Sequence, residues 1–208
     1  MRAFRIIPAA LAALLVALPA AAQAPAATAK STTGAATAAT YAIDPVHSEL
    51  SFRIRHLLGR VPGTFGEWGG TVVMDTVDIG RSSVNVVIQA ASIDTRVKQR
   101  DDHLRTPDFF AVDSFPTITF RSTGVAMEGR HIRVAGNLTI RGHTRPVVLA
   151  GTYEGIFPDP WGGTRVAFIA STTINRRDFG VNFDAPFLGI GQVGNEVEIV
   201  IAIEGVRK

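Results

Sequence analysis

Residues 117–141 read TITFRSTGVAMEGRHIRVAGNLTIR, and they alternate apolar and polar side chains on either side of one tight turn. Ile118 and Phe120 face one way while Thr117, Thr119 and Arg121 face the other. Past Glu128-Gly129, Ile132, Val134, Leu138 and Ile140 share a face, with Arg133, Asn137, Thr139 and Arg141 opposite. A period of two is the mark of a half-buried strand, and the glycine-bearing turn predicts a hairpin.

The same pattern continues outward in both directions. Toward the C-terminus, Arg141-Gly142-His143-Thr144 turns the chain into a strand over 146–155. A Pro- and Gly-rich loop over 157–163 leads to a seventh strand, 164–174, which carries Phe168. The last, 196–206, sets Val197, Ile199, Ile201 and Ile203 against Glu196, Glu198 and Glu204. Toward the N-terminus, strands are expected over 82–93 (Val84, Val86 and Ile88 on one face), 68–74 and 41–56 (Leu50, Phe52 and Ile54). Residues 59–66, with three glycines and Pro62, read as a turn region. The count is eight strands, without helical crossovers for a parallel sheet. The expectation is all-β and antiparallel, with sandwich and up-and-down barrel both open on pattern alone.

The period breaks once, between the third and fourth strands, at Arg100-Asp101-Asp102-His103-Leu104-Arg105-Thr106-Pro107-Asp108-Phe109-Phe110. Acidic residues suit the positive end of a helix dipole, and Asp101 precedes Arg105 by the four residues that favour a same-face pair. Pro107 stops the segment, and Thr106-Pro107-Asp108 restarts a short turn bearing two phenylalanines. A polar helical piece ending in paired rings reads as a plug over the end of a sheet structure.

Composition narrows the function. Hydrophobic residues are 46% and charged residues 19%, a globular profile. The formal net charge is +3, or +1 without Arg2 and Arg5, and no basic cluster interleaved with aromatics argues for nucleic acid. The absence of cysteine excludes disulfides, thiolate nucleophiles, Cys-ligated metal sites and a lipid anchor through an N-terminal cysteine. Residues 1–22 carry a short basic start, an apolar run and Ala20-Ala21-Ala22, the features of a cleaved signal peptide. Residues 23–40, almost entirely Ala, Thr, Ser, Gly and Pro, read as a flexible tether, leaving the folded domain at 41–208. The expected product is exported and periplasmic, without a stable membrane anchor after cleavage.

Three stretches carry a resemblance. They are Asp44-Pro45-Val46-His47-Ser48 running into Phe52 and His56; Ala91-Ser92-Ile93-Asp94-Thr95 with Arg100–Phe110 and Phe115-Pro116-Thr117; and Val134-Ala135-Gly136-Asn137-Leu138 with Pro146 and, later, Asn175-Arg176-Arg177-Asp178-Phe179-Gly180. As an ordered set they resemble the YceI-like family of lipid- and polyisoprenoid-binding proteins. The resemblance implies an extended, lipocalin-like, eight-stranded antiparallel barrel with an apolar tunnel, and a long-chain isoprenoid or related lipid as ligand. It carries over no catalytic residue, and no cofactor or metal is expected.

The inward-facing candidates for a ligand lining are Phe52, Ile54, Val86, Ile88, Phe120, Leu138 and Phe168; without the resemblance, a filled core explains them as well. The histidines (His47, His56, His103, His131 and His143) lack metal-ligand spacing. Asp101, Asp102 and His103 form the alternative: a hydrolase or isomerase centre acting on an amphiphile. Arginines near these carboxylates, and in Arg176-Arg177-Asp178, suit either a phosphate headgroup or, preferentially, structural ion pairs. A binding protein rather than an enzyme is the expectation, with a homodimer left open.

Overall fold

The computed structural model describes residues 38–208, apart from 161, 185, 188 and 189. The signal-peptide expectation, and the tether up to residue 37, fall outside the described residues. In chain order the strands are β1 (Ala38–Ile43), β2 (Glu49–His56), β3 (Gly59–Phe65), β4 (Trp68–Asp75), β5 (Ser83–Gln89) and β6 (Ile93–Asp94). Then come the helix α1 (Lys98–Arg105), β7 (Thr117–Glu128), β8 (His131–Ile140), β9 (His143–Pro158) and β10 (Thr164–Asn175). Two short strands, β11 (Pro186–Phe187) and β12 (Ile190–Gly191), pair with each other before β13 (Val193–Arg207).

All pairings in the main sheet are antiparallel, in the order β1-β4-β5-β7-β8-β9-β10-β13, and β13 pairs back onto β1 through Tyr41↔Arg207 to close the ring. Eight strands therefore form a barrel, not a sandwich, and every pairing that closes it lies within the described residues. Closure removes the exposed edges that an open sheet would leave.

The turns follow local chemistry. The β8–β9 turn places Arg141 and Gly142 at φ 50° and 74° between the paired Ile140 and His143, the double left-handed geometry of a type I′ hairpin. The β7–β8 turn uses Gly129 at φ 58°. The register of β7 and β8 shifts between Ser122 and Gly124, a bulge that bends the hairpin around the barrel.

Three expectations need correction. The single strand over 41–56 is two, because Asp44-Pro45-Val46-His47-Ser48 interrupts it: Asp44 Oδ1 accepts from Val46 N at 3.0 Å and its Oδ2 pairs with His47. The first strand also begins at Ala38, so the last tether residues belong to the barrel. Most substantially, 59–66 is not a turn region; β3 pairs with β2 from Ser51↔Thr64 to His56↔Gly59, and only Leu57 and Leu58 turn. Pro62 is tolerated because β3 has a neighbour on one side only at that point.

Two apolar clusters lie inside the barrel. The larger gathers Leu50, Ile88, Ile118, Phe120, Leu138, Ile140, Ile174 and Phe179 with Phe109 of the insert. The smaller centres on Tyr41, Ile43, Val72, Met74 and Val166. From the registers, the end that carries β5's C-terminus, the β8–β9 turn, β10's C-terminus and β13's N-terminus also receives α1. It is termed here the insert end.

Candidate functional site

Within the larger cluster the side chains stop short of filling the barrel, leaving a cavity of about 250 Å³. Its wall is almost wholly aliphatic and aromatic. Six of the seven expected lining residues border it: Phe52, Ile54, Val86, Ile88, Phe120 and Leu138. Phe168 does not. It packs against both clusters and lines a separate void of about 50 Å³.

Further wall residues come from β2, β10 and β13 (Leu50, Thr172, Ile174, Val197, Ile199, Ile201), from other barrel strands, and from the insert (Leu104, Phe109, Phe110). The inward residues of β13 were legible as a strand face, but nothing local distinguishes a wall residue from a filled core. Insert and barrel meet through rings: Phe65 and Phe110 edge-on at 6.0 Å, Phe52 and Phe65 tilted at 5.7 Å. The insert thus forms part of the wall, as expected of a plug.

Its charged residues separate instead of converging. Asp101 is buried, and its Oδ1 accepts from the Thr95 backbone N–H at 2.9 Å and from the Thr95 hydroxyl, fixing the turn before α1. It makes no pair with Arg105. That arginine contacts Asp102 instead, at 3.1 Å, while its Nε and Nη2 donate to the carbonyls of Ala91 and Ile93. Asp102 is exposed and also accepts from Lys98, and these two cations hold its carboxyl below the usual range, Lys98 contributing most. His103 borders the cavity, but its Nε2 contacts Asp108 Oδ2 at 2.9 Å and its ring lies edge-on to Phe109 and Phe183, both at 5.0 Å. The three side chains of the Asp101/Asp102/His103 reading therefore do not converge: Asp101 is turned into the fold, Asp102 lies in solvent, and His103 packs against rings. Among the described residues no group of three or more His, Asp or Glu is placed to hold a metal ion.

Two arginines are more telling. Arg176 is 4% exposed and borders the cavity. Its Nε donates to Gly194 O at 2.9 Å and its Nη1 to Val181 O and Phe183 O at 2.6 and 2.8 Å. Burial lowers its pKa, and the neighbouring Arg177 pushes the same way. No carboxylate appears among the hydrogen-bond partners described for Arg176, so the expected ion pair is replaced by main-chain carbonyls. Arg141 does the same across the insert, donating to Phe109 O at 2.7 Å and Gly180 O at 3.1 Å. Arg100 also borders the cavity, with Nε and Nη2 committed to Thr95 at 2.7 Å. These guanidinium groups fasten the loops of the insert end, and most of their donors are spoken for.

The comparisons with known proteins agree with this architecture. Protein YceI of Salmonella arizonae is 41% identical over 180 residues, covering 85% of this chain and 92% of that protein. Among solved structures, Burkholderia cenocepacia BcnA superposes with a TM-score of 0.69 at 24% identity, covering 78% of this chain and 98% of its own. A domain from Saccharophagus degradans, described as polyisoprenoid-binding and implicated in plant cell wall breakdown, gives a TM-score of 0.57 at 13% identity, covering 81% of this chain and 98% of its own. The sequence profile of the YceI-like domain matches residues 41–205, nearly the whole barrel. On that match and the Salmonella identity, the chain belongs to the YceI-like domain family.

Proposed function

We propose that this protein is an exported, periplasmic carrier that holds a long-chain isoprenoid or similar amphiphilic lipid inside the barrel, without covalent chemistry. The observation that carries the reading is the cavity of about 250 Å³ with its apolar wall. It exceeds the cavity of about 150 Å³ that stays dry and binds benzene in an engineered core. At roughly 24 cal/mol per Å³, leaving such a space empty costs on the order of 6 kcal/mol relative to filling it, a large part of a domain's net stability. An apolar ligand relieves that deficit and gains roughly 0.8 kcal/mol for each CH₂ it buries. Affinity then needs little polar recognition, which fits arginines already occupied by carbonyls. The polyisoprenoid-binding description of the Saccharophagus neighbour supports the same ligand class, and the leader-like residues 1–22 support export.

The test is organic extraction and mass spectrometry of the protein purified from its native host with minimal detergent. A stoichiometric prenyl or acyl lipid is expected. A barrel that emerges empty and also refuses added polyprenyl lipid overturns the carrier reading.

A further inference from the structure

At the insert end the β2–β3 hairpin runs on past the last β10–β13 pair, Asn175↔Glu196, carried by the first residues of β13: His56 pairs with Val193, and Leu57 N–H donates to Gln192 O at 2.8 Å. On its outer edge β3 pairs with β6 only at Thr64↔Asp94 and Phe65↔Ile93. From Gly63 back to Gly59 its sole pairing partner among the described residues is β2, so the ribbon has one free edge at the insert end while β13 holds the other. Its inner face remains part of the cavity: Phe52, Ile54, His56 and Val61 all border it. The ribbon is a lip, with cavity wall running out to within two residues of its tip.

That tip is Leu57-Leu58. Leu58 is fully exposed, and Leu57 is held at φ 50°. Positive φ at the first central position of a two-residue hairpin belongs to glycine in a type II′ turn, and a leucine there is strained. Backbone strain combined with full exposure of a large apolar side chain is costly twice, which points to a role outside the fold itself. From Arg53 to Phe65 the ribbon carries Arg53, Arg55 and Arg60 and no carboxylate. Arg55 Nη1 donates to the Leu57 carbonyl at 3.0 Å, which places a cation at the tip, while Arg60 pairs with Glu198 of β13.

We propose that the Leu57-Leu58 tip is a membrane-docking spout: the two leucines insert into the surface of an anionic bilayer, Arg53 and Arg55 meet its headgroups, and the lip conducts lipid between bilayer and cavity. Leucines flanked by cations are the chemistry of interfacial anchoring, and continuity with the cavity wall distinguishes this patch from the other exposed apolar residues. The inference rests on the carrier reading for its cargo, though not for the docking itself.

The experiment uses the segment Ala35–Lys208, which contains the closed ring and both cores and omits the apolar leader run as a rival membrane binder. It is incubated with vesicles of phosphatidylcholine and phosphatidylglycerol in equal parts, and co-sedimentation is compared with the double variant Leu57→Gly/Leu58→Asn. Gly-Asn suits a II′ turn, so the variant should fold at least as well while losing both apolar anchors. The expected result is vesicle binding that weakens with added salt and falls at least about tenfold in the variant. The thermal midpoint, and uptake of polyprenyl lipid from detergent, should not decline in the variant. Wild-type protein that ignores the vesicles, or a variant that binds them as well, overturns the inference. If the tip matters only for capturing a protein partner, the first of those results is what appears. A barrel that docks but neither contains nor accepts lipid supports the docking and refutes the carrier reading, so the two failures are separable.

Discussion

Arg176 and Asp101 are charged side chains with less than a tenth of their surface exposed, and each stabilises the chain by satisfying main-chain groups. Neither role was legible in the sequence. Arg176-Arg177-Asp178 looks like a surface ion-pair run, and the carbonyls that hold Arg176 lie up to 18 residues away. Replacing Arg176 by Met abandons the carbonyls of Val181, Phe183 and Gly194 together. With about 1–3 kcal/mol for each unpaired buried group and partial repair by water, a loss of about 3 kcal/mol is expected in chemical denaturation. Arg176→Lys should recover only part, since an ammonium cannot reproduce the planar fork. At the other end of the barrel, Arg165 Nη1 contacts Asp44 at 2.8 Å, and this bond, with His47 second, holds the Asp44 carboxyl well below the usual carboxylate range. The folded pKa is depressed, so the stabilisation is complete above about pH 4 and drains away as pH falls toward the folded value. Thermal midpoints followed through the acid range should therefore decline less steeply for Asp44→Asn, from a lower plateau at neutral pH. Parallel curves would refute that assignment.

Strands announce themselves by alternation, and most of these did. The failure at β3 is instructive because Gly59, Pro62 and Gly63 each carry a turn signal, yet each has a strand-specific reason here. Pro62 lies where β3 has one neighbour, and Gly63 leaves room for the Phe52 ring, whose Cζ would sit 2.3 Å from an added Cβ. Composition reports what a residue permits, not which permission the fold uses. Other glycines differ in the same way. A Cβ on Gly151 of β9 would fall 1.9 Å from the Ile169 carbonyl oxygen on β10, a clash with backbone that cannot rotate away. Gly124, at the β7 bulge, meets nothing within 4 Å. Gly151→Ala should cost about 2–3 kcal/mol by urea denaturation and Gly124→Ala almost nothing, both at φ values an L-residue accepts. Equal effects would show that the β9–β10 spacing is slack.

For the whole molecule, an eight-stranded antiparallel character could be read from alternation, but closure could not. It depends on β1 meeting β13, some 165 residues later, and no local pattern encodes that register. Nor could the cavity be read, because an unfilled volume is the sum of many side chains and no single one reveals it. Its consequence is measurable. Ile199, on β13 opposite Phe52 and Thr172, borders the cavity, and Ile199→Trp should fill part of it. The expected outcome is a lipid-free protein at least as stable as the wild type in calorimetry, with polyprenyl uptake cut about tenfold or more. A variant that takes up the lipid normally would place the ligand elsewhere.

β13 meets β10, β2 and β1, and it follows all three in the chain. Until β13 leaves the ribosome, β10, β2 and β1 each keep an edge without its partner, and only once it has emerged can the ring shut.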